Sequence, residues 1–114
     1  MVTTKQKAYR VLFICAGNIC RSPMAEAVLK AKIPKSLQDN VEVISAGLNT
    51  FSGLSASVEA ELACRLKGFD VAGHKSRQAS EVLMESCDLV LCMEPAQTAY
   101  IHEKYPQLSG KIYT

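Results

Sequence analysis

Val11-Leu12-Phe13-Ile14-Cys15-Ala16-Gly17-Asn18-Ile19-Cys20-Arg21-Ser22-Pro23 passes from an unbroken apolar stretch through a short turn into a helix start. An apolar run without alternation marks a strand covered on both faces, as in a parallel sheet. Ser22 reads as the N-cap and Pro23 as the first helical residue, because a serine hydroxyl satisfies a free backbone N–H and proline has none to satisfy. Met24, Ala27, Val28 and Ala31 then recur at helical spacing, with Glu26 toward the positive end, as far as Pro34.

Outward from this stretch the same alternation continues. Val41–Ser45 reads as a second buried strand stopping at Ala46-Gly47, and turn-rich Asn49–Ser57 leads to a helix over Val58–Lys67 closed by Gly68. Ser80 caps a short helix, Asp88–Met93 is a third strand, Pro95 opens a helix to about Tyr105, and Lys111–Thr114 begins a fourth strand. The order βαβααβαβ predicts a three-layer α/β/α domain around a four-stranded, mainly parallel, twisted sheet with right-handed crossovers. Residues 1–8 are polar and read as a flexible extension, leaving 9–114 as a single domain.

Composition narrows the function classes. With 114 residues, 48% hydrophobic and 21% charged, the chain matches one globular domain, and its net charge of +2 is interspersed rather than gathered into a nucleic-acid patch. No apolar run approaches the roughly 20 residues of a membrane span, and Met1–Lys7 lacks the apolar stretch of a signal peptide, so a cytoplasmic protein without membrane insertion is expected. The five cysteines are too sparse for a disulfide scaffold and suit a reducing compartment. Cys15 and Cys20 have the wrong spacing for a metal knuckle, and only His74 and His102 could add nitrogen ligands, so neither metal nor cofactor is expected.

The chemistry concentrates after the first strand. A loop leading into a helix N-terminus faces unpaired backbone N–H groups and the positive end of the helix dipole, and so attracts an oxyanion. Ala16, Gly17, Asn18, Ile19 and Cys20 would cradle it, and the planar fork of Arg21 matches two oxygens of a tetrahedral anion. The same field favours the thiolate of Cys15, making a nucleophile for phosphorus. A bare Cys-x5-Arg pattern also arises where a cysteine merely ends a buried strand; the strand before it and the helix start behind it favour the functional reading.

With its neighbours, this segment strongly resembles the active-site signature of the low-molecular-weight protein tyrosine phosphatases. Ser45-Ala46-Gly47, Gly68-Phe69, His74-x-x-Arg77-Gln78 and Asp88-Leu-Val-Leu-Cys-Met-Glu94 resemble the family's pattern in the same order, so that Tyr9–Thr114 is covered. The resemblance implies a phosphatase-I type fold. It also implies that Cys15 forms a phosphocysteine, that Arg21 holds the phosphoryl oxygens, and that Ser22 stabilises the thiolate. Asn18, Ser22, Ser45 and His74 would form the hydrogen-bond network that shapes the loop. Cys20 would close a protective disulfide with Cys15, consistent with a reactive thiolate beside a resolving cysteine. The substrate implied is a phosphotyrosine protein or small aryl phosphate, with inorganic phosphate or a similar oxyanion as the loop ligand.

The family's general acid lies in an Asp-Pro-Tyr/Phe segment beyond the fourth strand. No such segment occurs in these 114 residues, so the acid is unassigned and the C-terminal part is expected to be missing, cut in or after that strand. Glu94-Pro95 imitates the acid segment but follows the third strand. Leu48 and Asn49 are the candidate rim residues. Two other readings stay open: arsenate reduction on the same loop, with Cys87 and Cys92 as candidate resolving thiols, and a phosphate-binding module without turnover. Ile19 stands where the family's phosphoarginine branch tends to carry threonine, which favours the aryl ester. Cys64, Cys87 and Cys92 otherwise read as buried packing, Tyr100 and Tyr105 as packing residues, and His102 and Lys104 as a solvated helix face.

Overall fold

Seven consecutive residues of the first strand set the frame. A computed structural model of the protein describes residues 8–114. The extension expected over residues 1–8 lies, apart from Ala8, outside the described residues. β1 (Tyr9–Cys15) pairs in parallel with β2 (Val41–Gly47), in a register running from Tyr9 opposite Val41 to Cys15 opposite Gly47. On its other side β1 pairs with β3 (Leu89–Cys92), and β3 with the short β4 (Ile112–Tyr113), giving the parallel order β2-β1-β3-β4.

The helices are α1 (Arg21–Lys32), α2 (Val58–Leu66), α3 (Glu81–Glu85) and α4 (Pro95–Lys104). α1 carries the chain from β1 outward to β2, and α4 carries it from β3 outward to β4 in the opposite direction. Right-handed crossovers running in opposite directions put the two helices on opposite faces of the sheet. The carboxyl ends of β1 and β3 therefore flank the topological switch point, where such sheets bind ligands.

Local signals explain most boundaries. The Ser57 and Ser80 hydroxyls accept from the N–H groups of Ala60 and Leu83 and open α2 and α3. Gly68, in the left-handed region at φ +83°, ends α2. The Gln97 side chain accepts from the N–H groups of Met93 and Glu94, fixing the entry to α4. Two 3-10 turns, Lys35–Leu37 and Pro106–Lys111, had no separate signal in the sequence.

The core is apolar around Leu12, Ile14, Met84, Val90, Ile101 and Ile112, with Cys87 and Cys92 buried among them and Tyr105 packed against it. Tyr100, expected to pack, is about half exposed and lies under the Lys104 ammonium. His102, expected on a solvated face, is half-buried, with Nε2 at 3.2 Å from the Ile112 carbonyl, where it ties α4 to β4.

Candidate functional site

The turn between β1 and α1 is built differently from the sequence expectation at one residue. α1 begins at Arg21 with Cys20 as its N-cap and no capping side chain, so Ser22 is not the cap and Pro23 is the third helical residue rather than the first. Ser22 is fully buried, its hydroxyl 2.9 Å from the Cys15 sulfur. A hydroxyl spent on the helix end could not reach the thiol; its proximity to Cys15 replaces the cap.

Asn18 supplies the bend. At φ +55° it occupies the left-handed region that asparagine tolerates better than most side chains. Gly17 lies outside the positive-φ set, and a Cβ there would make only an ordinary contact at 3.7 Å with Ile19. The glycine that the loop requires is Gly47, opposite Cys15 on β2. A Cβ on Gly47 would fall 2.7 Å from the Ala16 carbonyl oxygen and 3.0 Å from the Asn18 nitrogen. The sequence showed Gly47 only as a strand end, since its role lies across the β1–β2 register.

The four network residues come together. Fully buried Asn18 donates through Nδ2 to Ser22 Oγ at 2.8 Å and Ser45 Oγ at 2.9 Å. Its Oδ1 accepts from the Arg77 N–H at 2.9 Å, and its carbonyl lies 2.6 Å from His74 Nε2. Its own N–H donates to the Cys15 sulfur at 3.2 Å. That contact is a charge-assisted hydrogen bond when the sulfur is a thiolate. The turn is thus held from β2 by Ser45, from the helix by Ser22 and from the 74–77 segment by His74 and Arg77.

Arg21 projects from the first residue of α1, and its guanidinium forms a 2.7 Å ion pair with Glu94, just beyond β3. Both side chains are about half exposed, so the pair is screened by water and contributes little to stability. It spans the switch point and holds Arg21 beside the loop, where an incoming oxyanion would compete with the carboxylate for the same donors. Sequence reading weighed Glu94 only as an imitation of the general acid. The signal for the pair was topological, since an acid after β3 faces a base after β1.

All five thiols are free, with Cys15 buried and Cys20 half-buried at the helix start. Burial pushes the Cys87 and Cys92 thiols up, away from the reactive thiolate form.

The rim also departs from expectation. Leu48 packs against the core and is not free to line a substrate, while the Asn49 N–H donates to the Ala16 carbonyl at 2.9 Å. At the other end of this segment the Ser57 N–H donates to the Ile19 carbonyl at 2.7 Å. The stretch from Asn49 to Ser57 is therefore clamped to the turn after β1 at both ends, and it carries Phe51 with 81% of its surface exposed. Phe51 was missed; an aromatic among turn residues two positions past Asn49 was the available signal.

A buried cysteine at a strand end, an arginine at the following helix start and a short turn between them mark a candidate oxyanion site on an α/β sheet. The model for the family described as low molecular weight phosphotyrosine protein phosphatase matches residues 10–114, and the chain belongs to that family. A probable low molecular weight protein-tyrosine-phosphatase, EpsP, of Ralstonia nicotianae is 37% identical over 103 residues, covering 90% of this chain and 68% of that protein. The YwlE arginine phosphatase from Geobacillus stearothermophilus superposes with a TM-score of 0.83 at 39% identity, over 93% of this chain and 66% of that one. Wzb of Vibrio vulnificus, solved with benzylphosphonate, superposes with a TM-score of 0.80 at 31% identity, over 92% of this chain and 71% of that one. The chain spans about two thirds of the length of the relatives it matches. Among the described residues no helix is long and apolar enough to cross a membrane.

Proposed function

We propose that this chain is the catalytic core of a protein tyrosine phosphatase that hydrolyses aryl phosphate monoesters through a phosphocysteine. The observation that carries the reading is the Cys15 sulfur held by the Ser22 hydroxyl at 2.9 Å and the Asn18 N–H at 3.2 Å at the mouth of α1. These groups stabilise negative charge on sulfur both before attack and when sulfur departs.

In the first step the Cys15 thiolate attacks phosphorus, the S–P bond forms and the P–O bond to the aryl group breaks. A proton is delivered to the departing oxygen. Arg21 turns from Glu94 to the equatorial phosphoryl oxygens, where its two N–H vectors fit two of them. In the second step water attacks phosphorus and returns a proton to the group that protonated the aryl oxygen, the S–P bond breaks, and inorganic phosphate leaves as the thiolate is restored. Backbone N–H groups from Ala16 to Arg21 line the anion throughout. The donor of the first proton is left unassigned; Glu94 is engaged with Arg21. A phenol is a better leaving group than an alcohol and suffers less from weak protonation, which fits an aryl substrate.

The preferred substrate is a phosphotyrosine protein or a small aryl phosphate, with Phe51 and Asn49 on the rim beside the ring and free phosphate as the product bound in the loop. The benzylphosphonate in the Vibrio relative supports an aryl fit. A cytoplasmic setting accords with five free thiols. Phosphoarginine is the second reading, favoured by the protein-arginine-phosphatase of Geobacillus stearothermophilus, 39% identical over 107 residues; Ile19 in place of threonine argues for the aryl ester. Arsenate reduction is disfavoured because burial keeps Cys87 and Cys92 protonated.

Cys15→Ser tests the reading. It should abolish turnover of an aryl phosphate and retain phosphate binding by calorimetry; wild-type rates in the variant would refute it. Phosphotyrosine and phosphoarginine peptides assayed side by side decide the substrate.

A further inference from the structure

The hydrogen-bond chain behind Cys15 does not stop at Ser45. The Ser45 hydroxyl donates to Glu26 Oε1 at 2.7 Å, and the other Glu26 oxygen pairs with the Lys30 ammonium one turn along α1. Donors and acceptors can be counted along the whole chain. The Asn18 carboxamide is oriented by Arg77, whose backbone N–H can only donate, so Oδ1 faces it and Nδ2 faces the two serines. Each serine oxygen therefore receives one hydrogen from Asn18 and has one to give. A carboxylate can only accept, so Ser45 gives its hydrogen to Glu26, and Ser22 is left to give its own to Cys15.

We propose that Glu26 is a positioning residue that anchors the far end of this chain, so that the Ser22 hydroxyl is held with its proton toward the Cys15 sulfur. With the carboxylate gone, the hydrogen of buried Ser45 loses its acceptor. The nearest remedy is rotation of the Ser45 hydroxyl toward another acceptor, which removes one of the two oxygens that hold Asn18 Nδ2 and loosens the carboxamide's grip on Ser22. Glu26 is accessible from outside: it lines a cavity of about 310 Å3 on the far side of the loop, with Lys30, Asp70 and His74. These are the charged and titratable groups that line the cavity with Glu26; beyond it Arg21 pairs with Glu94, and His74 Nε2 meets the Asn18 carbonyl. The proposal uses the phosphatase reading only for its kinetic readout.

The test is the pH dependence of Cys15 alkylation by iodoacetate, followed by mass spectrometry at that residue in the folded protein. Loss of a hydrogen bond to a charged sulfur in Glu26→Met should raise the titration midpoint by about one pH unit. Glu26→Gln, whose amide oxygen still accepts from Ser45, should stay within a few tenths of wild type. A through-space effect of the lost negative charge has the opposite sign and would lower the midpoint in both variants. A midpoint unchanged or lowered in Glu26→Met overturns the proposal, as does an equal rise in Glu26→Gln. If Glu26→Met does not give a folded circular dichroism spectrum, Glu26→Leu makes the same prediction. The acid limb of kcat/KM on an aryl phosphate should move in parallel. A wild-type protein that hydrolyses no aryl phosphate while the alkylation shift persists would defeat the phosphatase reading and leave the role of Glu26 standing.

Discussion

Two buried clusters lie on either side of the carboxyl end of β1, and they follow opposite rules. Below, Leu12 and Ile14 meet Met84, Val90, Ile101 and Ile112 in an apolar core where any side chain of similar volume would serve. Above, Asn18, Ser22 and Ser45 are equally buried but polar, and each depends on partners at fixed distances. The lower cluster supplies most of the free energy of folding. The upper one trades desolvation against hydrogen bonds and so adds little net stability, while it fixes where the sulfur sits.

That division can be broken from either side. The largest effect should follow Ile101→Ala, which empties a fully buried site. It should cost about 2–5 kcal/mol in urea unfolding and leave kcat/KM of the folded protein within about twofold of wild type. Gly47→Ala should invert the pattern: its methyl would press on the Ala16 carbonyl and the Asn18 nitrogen, displacing the loop. Activity should fall about 100-fold with a small change in melting temperature. Equal losses of stability and activity in both variants would dissolve the distinction.

A smaller effect should come from pH, acting on the buried thiols of the lower cluster. Burial raises the Cys87 and Cys92 thiols above their ordinary value of 9.0. Their contribution is fully present below the unfolded value and is lost as pH rises through the folded one, because the unfolded chain releases protons first. Melting temperature should therefore decline on the alkaline side of pH 9.0, and Cys87→Ala with Cys92→Ala should flatten that decline. An unchanged slope in the double variant would remove the thiols from the account.

How far each cluster was legible follows from the same contrast. Apolar periodicity marks strands directly, so β1 was read at its observed ends and β2 to within its last two residues. Ser22 was assigned to the helix cap because capping is a local rule, whereas its contact with Cys15 depends on how the turn closes. Gly47 and Glu94 act across the sheet on residues distant in sequence, and only the register and strand order bring them to the loop. Leu48 turned inward and Phe51 outward because the segment between them is pinned to Ala16 and Ile19 by backbone hydrogen bonds, which leave no trace in side-chain identity.

The pairing of β1 with β2 also acts as a proofreading device. Cys15 lies opposite Gly47 and Phe13 opposite Ser45. A slip of one residue would turn the buried side chains of β2 to the wrong face, put a side chain where the loop needs a bare Cα, and carry the Ser45 hydroxyl away from Asn18. Misregistered molecules would then be silent as well as unstable. The active-site titre of a preparation accordingly counts the chains whose first two strands have paired correctly.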